Sequence, residues 1–142
     1  MQELTERDAD IFLTNLKNTL ILFAKNAAEL KALEKPTFEP IYEMQDGLDY
    51  SLSDLCIDTI FKYQLLDNAI KEELMNFKQG ALSIESNKWQ WSAIDTDPIW
   101  TALRQIANTL LEKINVANKD YIDDYSISFD SDGNVVEKGK KM

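Results

Sequence analysis

The chain has 142 residues, 44% of them hydrophobic and 28% charged, a balance that fits one globular domain and carries too much apolar side chain for a disordered one. Its net charge of −10, from 25 acidic and 15 basic residues, argues against nucleic acid and against an anionic membrane surface, since both need clustered Lys and Arg. With no histidine and one cysteine, Cys56, the chain cannot assemble a His-based metal site, a Ser-His or Cys-His catalytic pair, or an intrachain disulfide.

Residues 5–33 read as one long helix. Thr5 with Asp8 three places on resembles a capping box. Ala9, Phe12, Leu13, Leu16, Leu20, Phe23, Ala27 and Leu30 step by three or four, the helical period. Ile11, Ile21, Leu22 and Ala24 widen the stripe, so the helix is expected to be covered on more than one side. Pro36 is the expected stop. The segment 36–50, PTFEPIYEMQDGLDY, has two prolines, one glycine and no strong period, and reads as a structured loop.

A second helix is expected from Ser51 or Ser53 to about Lys78, with a polar slip at Asp67 and Gly80 as its stop. Residues 81–96, ALSIESNKWQWSAIDT, alternate in polarity and fit either two short strands or an ordered loop. Asp97 and Pro98 are a favoured cap and first residue for a helix running to Ile114. Its apolar row is Ile99, Leu103, Ile106 and Leu110, widened by Trp100, Ala107, Leu111 and Ile114. Arg104, Gln105, Asn108 and Glu112 lie opposite. The stretch from Trp89 to Ile114 holds all three tryptophans and is the expected hub of the core. Ser126–Phe129 and 135–137 read as a small hairpin around DSDGN, and 138–142 as a disordered tail. The fold class expected is mainly α: a helical bundle of three or more helices in one domain spanning 1–142, with a small C-terminal β-hairpin.

Signals for chemistry are sparse. Asp130, Asp132 and Asn134 suggest the start of a calcium loop, but Lys141 stands where the bidentate Glu must be, and a hairpin turn accounts for the segment better. Asp95, Asp97, Asp123 and Asp124 could serve as paired carboxylates only if they converged in a pocket, and Asp97 already has a capping role. No glycine pattern forms a phosphate-binding loop. The expectation is a protein without catalytic residues, cofactor or metal. No apolar run approaches the ~20 residues of a membrane helix, and the charged start MQELTERDAD lacks the order of a signal peptide. A cytoplasmic location follows as the expectation, with Cys56 a buried, inert thiol.

What stands out is a surface. Between residues 36 and 61 lie Glu39, Glu43, Asp46, Asp49, Asp54 and Asp58 with no Lys or Arg, a local charge of −6, whereas residues 1–35 hold six acids and five bases. Tyr42 and Tyr50 are interleaved among these carboxylates. Acids with aromatic anchors suit a partner rich in Lys and Arg, so Glu39, Tyr42, Glu43, Asp46, Asp49, Tyr50, Asp54 and Asp58 are the candidate partner-binding residues.

The segments YEMQDGLDYSLSDL and WQWSAIDTDPIWTALRQIANTLLEKI, in a small, acidic, cysteine-poor chain, resemble the immunity proteins of bacterial contact-dependent inhibition and related polymorphic toxin systems. That resemblance lies in overall character, since those families share no common motif. It implies a protein that neutralises a cognate toxin domain, often a basic nuclease, by occluding its active site. The other reading is a non-catalytic helical adaptor or regulatory homodimer that uses the wide apolar stripe of the first helix as an interface.

Overall fold

The computed structural model describes residues 4–116, together with the backbone of two strands at 126–129 and 135–139. It is a helical bundle, as the periodicity predicts. In chain order the helices are α1 (Glu6–Phe23), α2 (Ala27–Lys31), α3 (Pro40–Tyr50), α4 (Asp54–Lys62), α5 (Ala69–Leu82), α6 (Trp91–Ile94) and α7 (Pro98–Lys113), with a 3-10 turn at Ser86–Lys88.

Helix α1 starts where the sequence places it. Thr5 accepts from Asp8 N, and the Asp8 carboxylate accepts from Thr5 N at 2.7 Å. The helix ends ten residues earlier than expected, at Phe23. Asn26 and Glu29 form a second capping box, with Glu29 N donating to Asn26 Oδ1 at 2.9 Å and Asn26 N to Glu29 Oε1 at 3.0 Å. The break was hidden because Phe23, Ala27 and Leu30 keep their spacing across it. Pro36 is not the stop. It sits in a tight turn closed by reciprocal Lys35 and Phe38 backbone bonds, both 2.9 Å.

The segment 36–50 is not a loop throughout, because 40–50 is helix α3. Glu39 caps it, accepting from Tyr42 N at 2.6 Å, and Pro40 takes the first helical position. That is the same grammar as Asp97 and Pro98, with a longer carboxylate. The expected second helix is two. α4 is capped by Ser53, which accepts from Cys56 N. It closes with Leu65 N on Ile60 O, Gln64 N on Phe61 O, and Gln64 in the left-handed region at φ 57°. These two bonds are a Schellman closure. Asp67, the polar slip in the pattern, accepts from Ala69 N at 2.9 Å and begins α5. Gly80 does not stop α5. It lies inside it, where a β-carbon would come 3.2 Å from Leu103 Cδ2, so its small size lets α5 approach α7. Residues 81–96 are not strands: they are an ordered connection that finishes α5 and forms the 3-10 turn and α6.

Helix α7 follows its predicted course, with Asp97 accepting from Ile99 N at 2.9 Å. The apolar stripe is rotated from the expected row. Trp100, Leu103, Ala107, Leu110 and Leu111 are buried, whereas Ile99 and Ile106 are exposed. Nor is the opposite face all solvent. Asn108 Nδ2 donates to Ala24 O, Arg104 Nε to Lys25 O and Arg104 Nη2 to Ile94 O. Together these bonds satisfy carbonyls freed just after α1, at Ala24 and Lys25, and at the end of α6, at Ile94. Asp95 accepts from Ala27 N at 2.9 Å and lies 3.6 Å from Arg104, fastening the start of α2 to the same place.

The centre of the core is shared by α1 and α7. α1 packs against α3, α4 and α7, while α7 packs against α1, α5 and α6. Ten of the eighteen α1 residues are buried, so its broad apolar surface is covered within the chain and is not an open interface. The two helices meet in an aromatic cluster. Phe23 stacks on Trp100 at 5.8 Å and meets Phe77 edge-on at 5.2 Å, and Trp89 meets Trp100 edge-on at 5.0 Å. Each such pair adds roughly 0.5–1.5 kcal/mol beyond its buried area. The indole N–H of Trp100 donates to Lys88 O at 2.9 Å. The hub therefore depends on Trp89 as well as on α7.

Strands β1 (Ser126–Phe129) and β2 (Val135–Gly139) pair antiparallel, with an irregularity between Ser128 and Phe129. β2 includes 138 and 139, which were expected in the tail. The remainder of that tail, the calcium-loop residues 130 to 134 and the acids at 123 and 124 lie outside the described residues.

Candidate functional site

Helix α3 presents the candidate surface because its inner face is fully committed. Pro40, Met44, Gly47 and Leu48 are buried, and this spacing turns Tyr42, Asp46 and Asp49 (positions i, i+4 and i+7) straight outward. Asp46 and Asp49 are exposed, and Tyr42 is 60% exposed. Gly47 sits over α1, where Thr19 donates to Ser51 Oγ at 3.0 Å. That close approach fixes the rotation of α3 and therefore which residues face out.

The carboxylates on this helix sense one another. Burial raises the pKa of Glu43 above its ordinary value, and the charges of Asp46 and then Glu39 raise it further. Those three residues stand at i, i+4 and i+7, so the repulsion is built into one face. Tyr50 lies at the rim, 40% exposed, with its ring edge-on to Phe12 at 6.2 Å. Its phenol is also pushed up, first by burial, then by Cys56 and by Asp8. Asp8 of α1 therefore borders the acidic face, a neighbour that no local pattern could reveal.

Other candidates are placed differently. Glu39 is exposed but spends its carboxylate on the α3 N-terminus. Asp54 is exposed in the first turn of α4, beside Leu55, which is 61% exposed and was missed because its spacing matches the apolar stripe. Asp58 pairs with Lys71 of α5 at 3.1 Å, both side chains remaining largely exposed. The structure thus groups Glu39, Tyr42, Glu43, Asp46, Asp49 and Tyr50 on α3, sets Asp54 after it, and draws Asp58 away. Cys56 is buried, with its thiol pushed up by burial, the state of an inert thiol.

Elsewhere the polar groups have structural work. Asp95 and Asp97 cap helices and pair with Arg104 and Lys88, so they do not converge as an acid–base pair. Trp89 is half-buried in the aromatic cluster, and Trp91 is half-buried with the Lys31 ammonium 5.4 Å from its ring centre. Among the described residues, no cluster of three or more Cys, Asp or Glu is arranged to hold a metal ion, and no helix is long and apolar enough to cross a membrane.

No family model, curated protein or solved structure matches this chain. The functional reading therefore rests on the surface itself.

Proposed function

We propose that this is a non-catalytic binding protein of the immunity type, acting in the cytoplasm, whose α3 face binds and occludes a basic toxin domain, a nuclease being the class best suited by charge. The observation that carries the reading is the exposed Tyr42 ring set among Glu43, Asp46 and Asp49 on a helix whose other side is locked in the core. Carboxylates that repel one another are a standing electrostatic cost in the free protein. Lys and Arg side chains of a partner relieve it on binding. A Tyr among them offers contact area at low entropic cost, the usual character of an anchor. Asp54 and Leu55 extend the contact beyond α3, and Asp58 contributes least because it already has Lys71 beside it.

The test is co-expression with the C-terminal domain of the large secreted protein whose gene this reading requires beside its own. The expected result is rescue of growth and a stable complex whose association rate falls as salt rises. Tyr42→Lys combined with Asp46→Lys and Asp49→Lys should abolish rescue while the helical signal is retained. A complex that survives this triple reversal unchanged would place the contact elsewhere, and toxicity unaffected by the wild-type protein would end the immunity reading.

A further inference from the structure

Several aromatic rings of this bundle have an ammonium beside them, supplied by the chain itself. Lys31 Nζ lies 5.4 Å from the Trp91 ring centre, Lys62 Nζ 5.4 Å from that of Tyr63, and Lys71 Nζ 5.8 Å from that of Phe61. Tyr50 is different. Its ring is exposed, yet among the described residues it has no cation over it, and its hydroxyl has no hydrogen-bond partner.

Two helices surround this ring with negative charge instead. Thr19 lies against Gly47 and Phe12 against Tyr50, so α1 and α3 are antiparallel. Asp8 stands one turn before Phe12 on α1, and Asp46 one turn before Tyr50 on α3. The two carboxylates therefore lie on either side of Tyr50 along the helix pair. The charge of Asp8 is felt at the Tyr50 phenol. Asp8 Oδ2 is held by Thr5, whereas Asp46 makes no ion pair or side-chain hydrogen bond among the described residues. The ring is also held ready. It meets the buried Phe12 edge-on, so a partner that packs on it pays little to order it. Tyr42, one turn beyond Asp46, has no such aromatic support among the described residues.

A guanidinium is the cation that suits this arrangement. It is planar, stacks on an aromatic face, forks onto a carboxylate and gives up water more readily than an ammonium. A lysine can meet one carboxylate as a point charge but gains less from the ring. We propose that Tyr50, set between Asp8 and Asp46, is an arginine-recognition site that takes the guanidinium of a partner protein over its ring in preference to a lysine ammonium. Its role rests on the acidic face being a contact surface for a basic protein, whether or not that protein is a toxin.

Nuclear magnetic resonance of the isotope-labelled full chain tests this with two probes of equal charge, acetyl-Gly-Arg-Gly-Arg-Gly amide and the same peptide with lysine in place of arginine. Both should shift the Tyr50 ring signals, and the arginine peptide should half-saturate at about two- to fivefold lower concentration. Tyr50→Leu keeps an apolar contact on Phe12 and should abolish that preference, read from the amides of Asp8 and Asp46. Tyr42→Leu should leave it intact. Asp46→Asn should weaken binding of both peptides. Equal affinity for the two peptides, no shift from either, or a preference that survives Tyr50→Leu or is lost in Tyr42→Leu overturns the proposal. Should Tyr50→Leu lose its helical signal, unchanged affinity of Asp46→Asn for the arginine peptide overturns it equally. Rescue in co-expression tests the immunity reading separately, so the two can fail apart.

Discussion

A β-carbon placed on Gly47 would stand 2.5 Å from Thr19 Oγ1 and 2.8 Å from Thr19 Cγ2. Thr19 is buried and short, and its hydroxyl is bonded to Ser51, so it cannot swing aside as a long side chain would. Helix α3 must lift instead. Gly47→Ala should therefore destabilise the protein by about 1–3 kcal/mol, the usual cost of overpacking, although Ala is otherwise the better helix former. With Thr19→Ala in the background the clash disappears and the sign should reverse, because Gly inside a helix costs about 0.5–1 kcal/mol relative to Ala. Urea denaturation of the two single variants and the double variant measures this coupling.

Arg104 and Asp95 hold the turn between α1 and α2. Arg104→Ala leaves the carbonyls of Lys25 and Ile94 without this donor and Asp95 without its cation. The expected loss is about 1–3 kcal/mol in a thermal or urea melt. Arg104→Lys should recover little, since a single ammonium cannot reproduce two donors set on a planar fork. Equal stability of the Lys variant and the wild type would show that charge alone matters there.

Gln64 occupies the left-handed region at φ 57° at the end of α4. That conformation costs an L-residue roughly 1–2 kcal/mol, which glycine escapes. Gln64→Gly should raise stability by up to about 1 kcal/mol, part of the gain being offset by the greater freedom of glycine in the unfolded chain. Asn115, at φ 64° after α7, should gain less from the same change, because Asn tolerates this region better. A comparison of the midpoints in urea separates the two.

Glu43 gives the acidic face a pH signature. Its folded pKa is raised by burial, Asp46 and Glu39, so the folded state holds its proton more tightly than the unfolded chain does. The stabilising contribution of that proton is present in full below the unfolded pKa and is lost as pH rises through the folded value. At neutral pH the ionised Glu43 is therefore a small liability. Glu43→Gln should raise the Tm slightly at pH 7, and the advantage should vanish as pH falls through the carboxylate range. An advantage that persists undiminished in acid would mean that its origin is packing rather than charge.

Much of this fold was legible from residue spacing. The start of α4 was narrowed to Ser51 or Ser53, and the structure chose Ser53. The helix starts at Thr5 and Asp97, the course of α7 and the hairpin strand at 126–129 were read from caps and periods, which are local properties. The breaks after Phe23 and Lys62 were not. Phe23, Ala27 and Leu30, like Ile60, Tyr63, Leu66 and Ile70, keep a helical step through a turn, because both flanking helices bury a face in the same core. Helix α3 was missed because two prolines, a glycine and a weak period suggested a loop, whereas Glu39 caps the helix and makes Pro40 its first residue. Composition likewise determined that the acid is concentrated between 36 and 61. Only the tertiary structure decided how that acid is used. Gly47 against Thr19 sets the rotation of α3 so that Tyr42, Asp46 and Asp49 face out, Lys71 draws Asp58 away, and Asp8 arrives from a distant part of the chain. The sequence determines which residues are charged and which helices can form. Which charges meet depends on the angles at which those helices pack, and these are set by contacts between residues far apart in the chain.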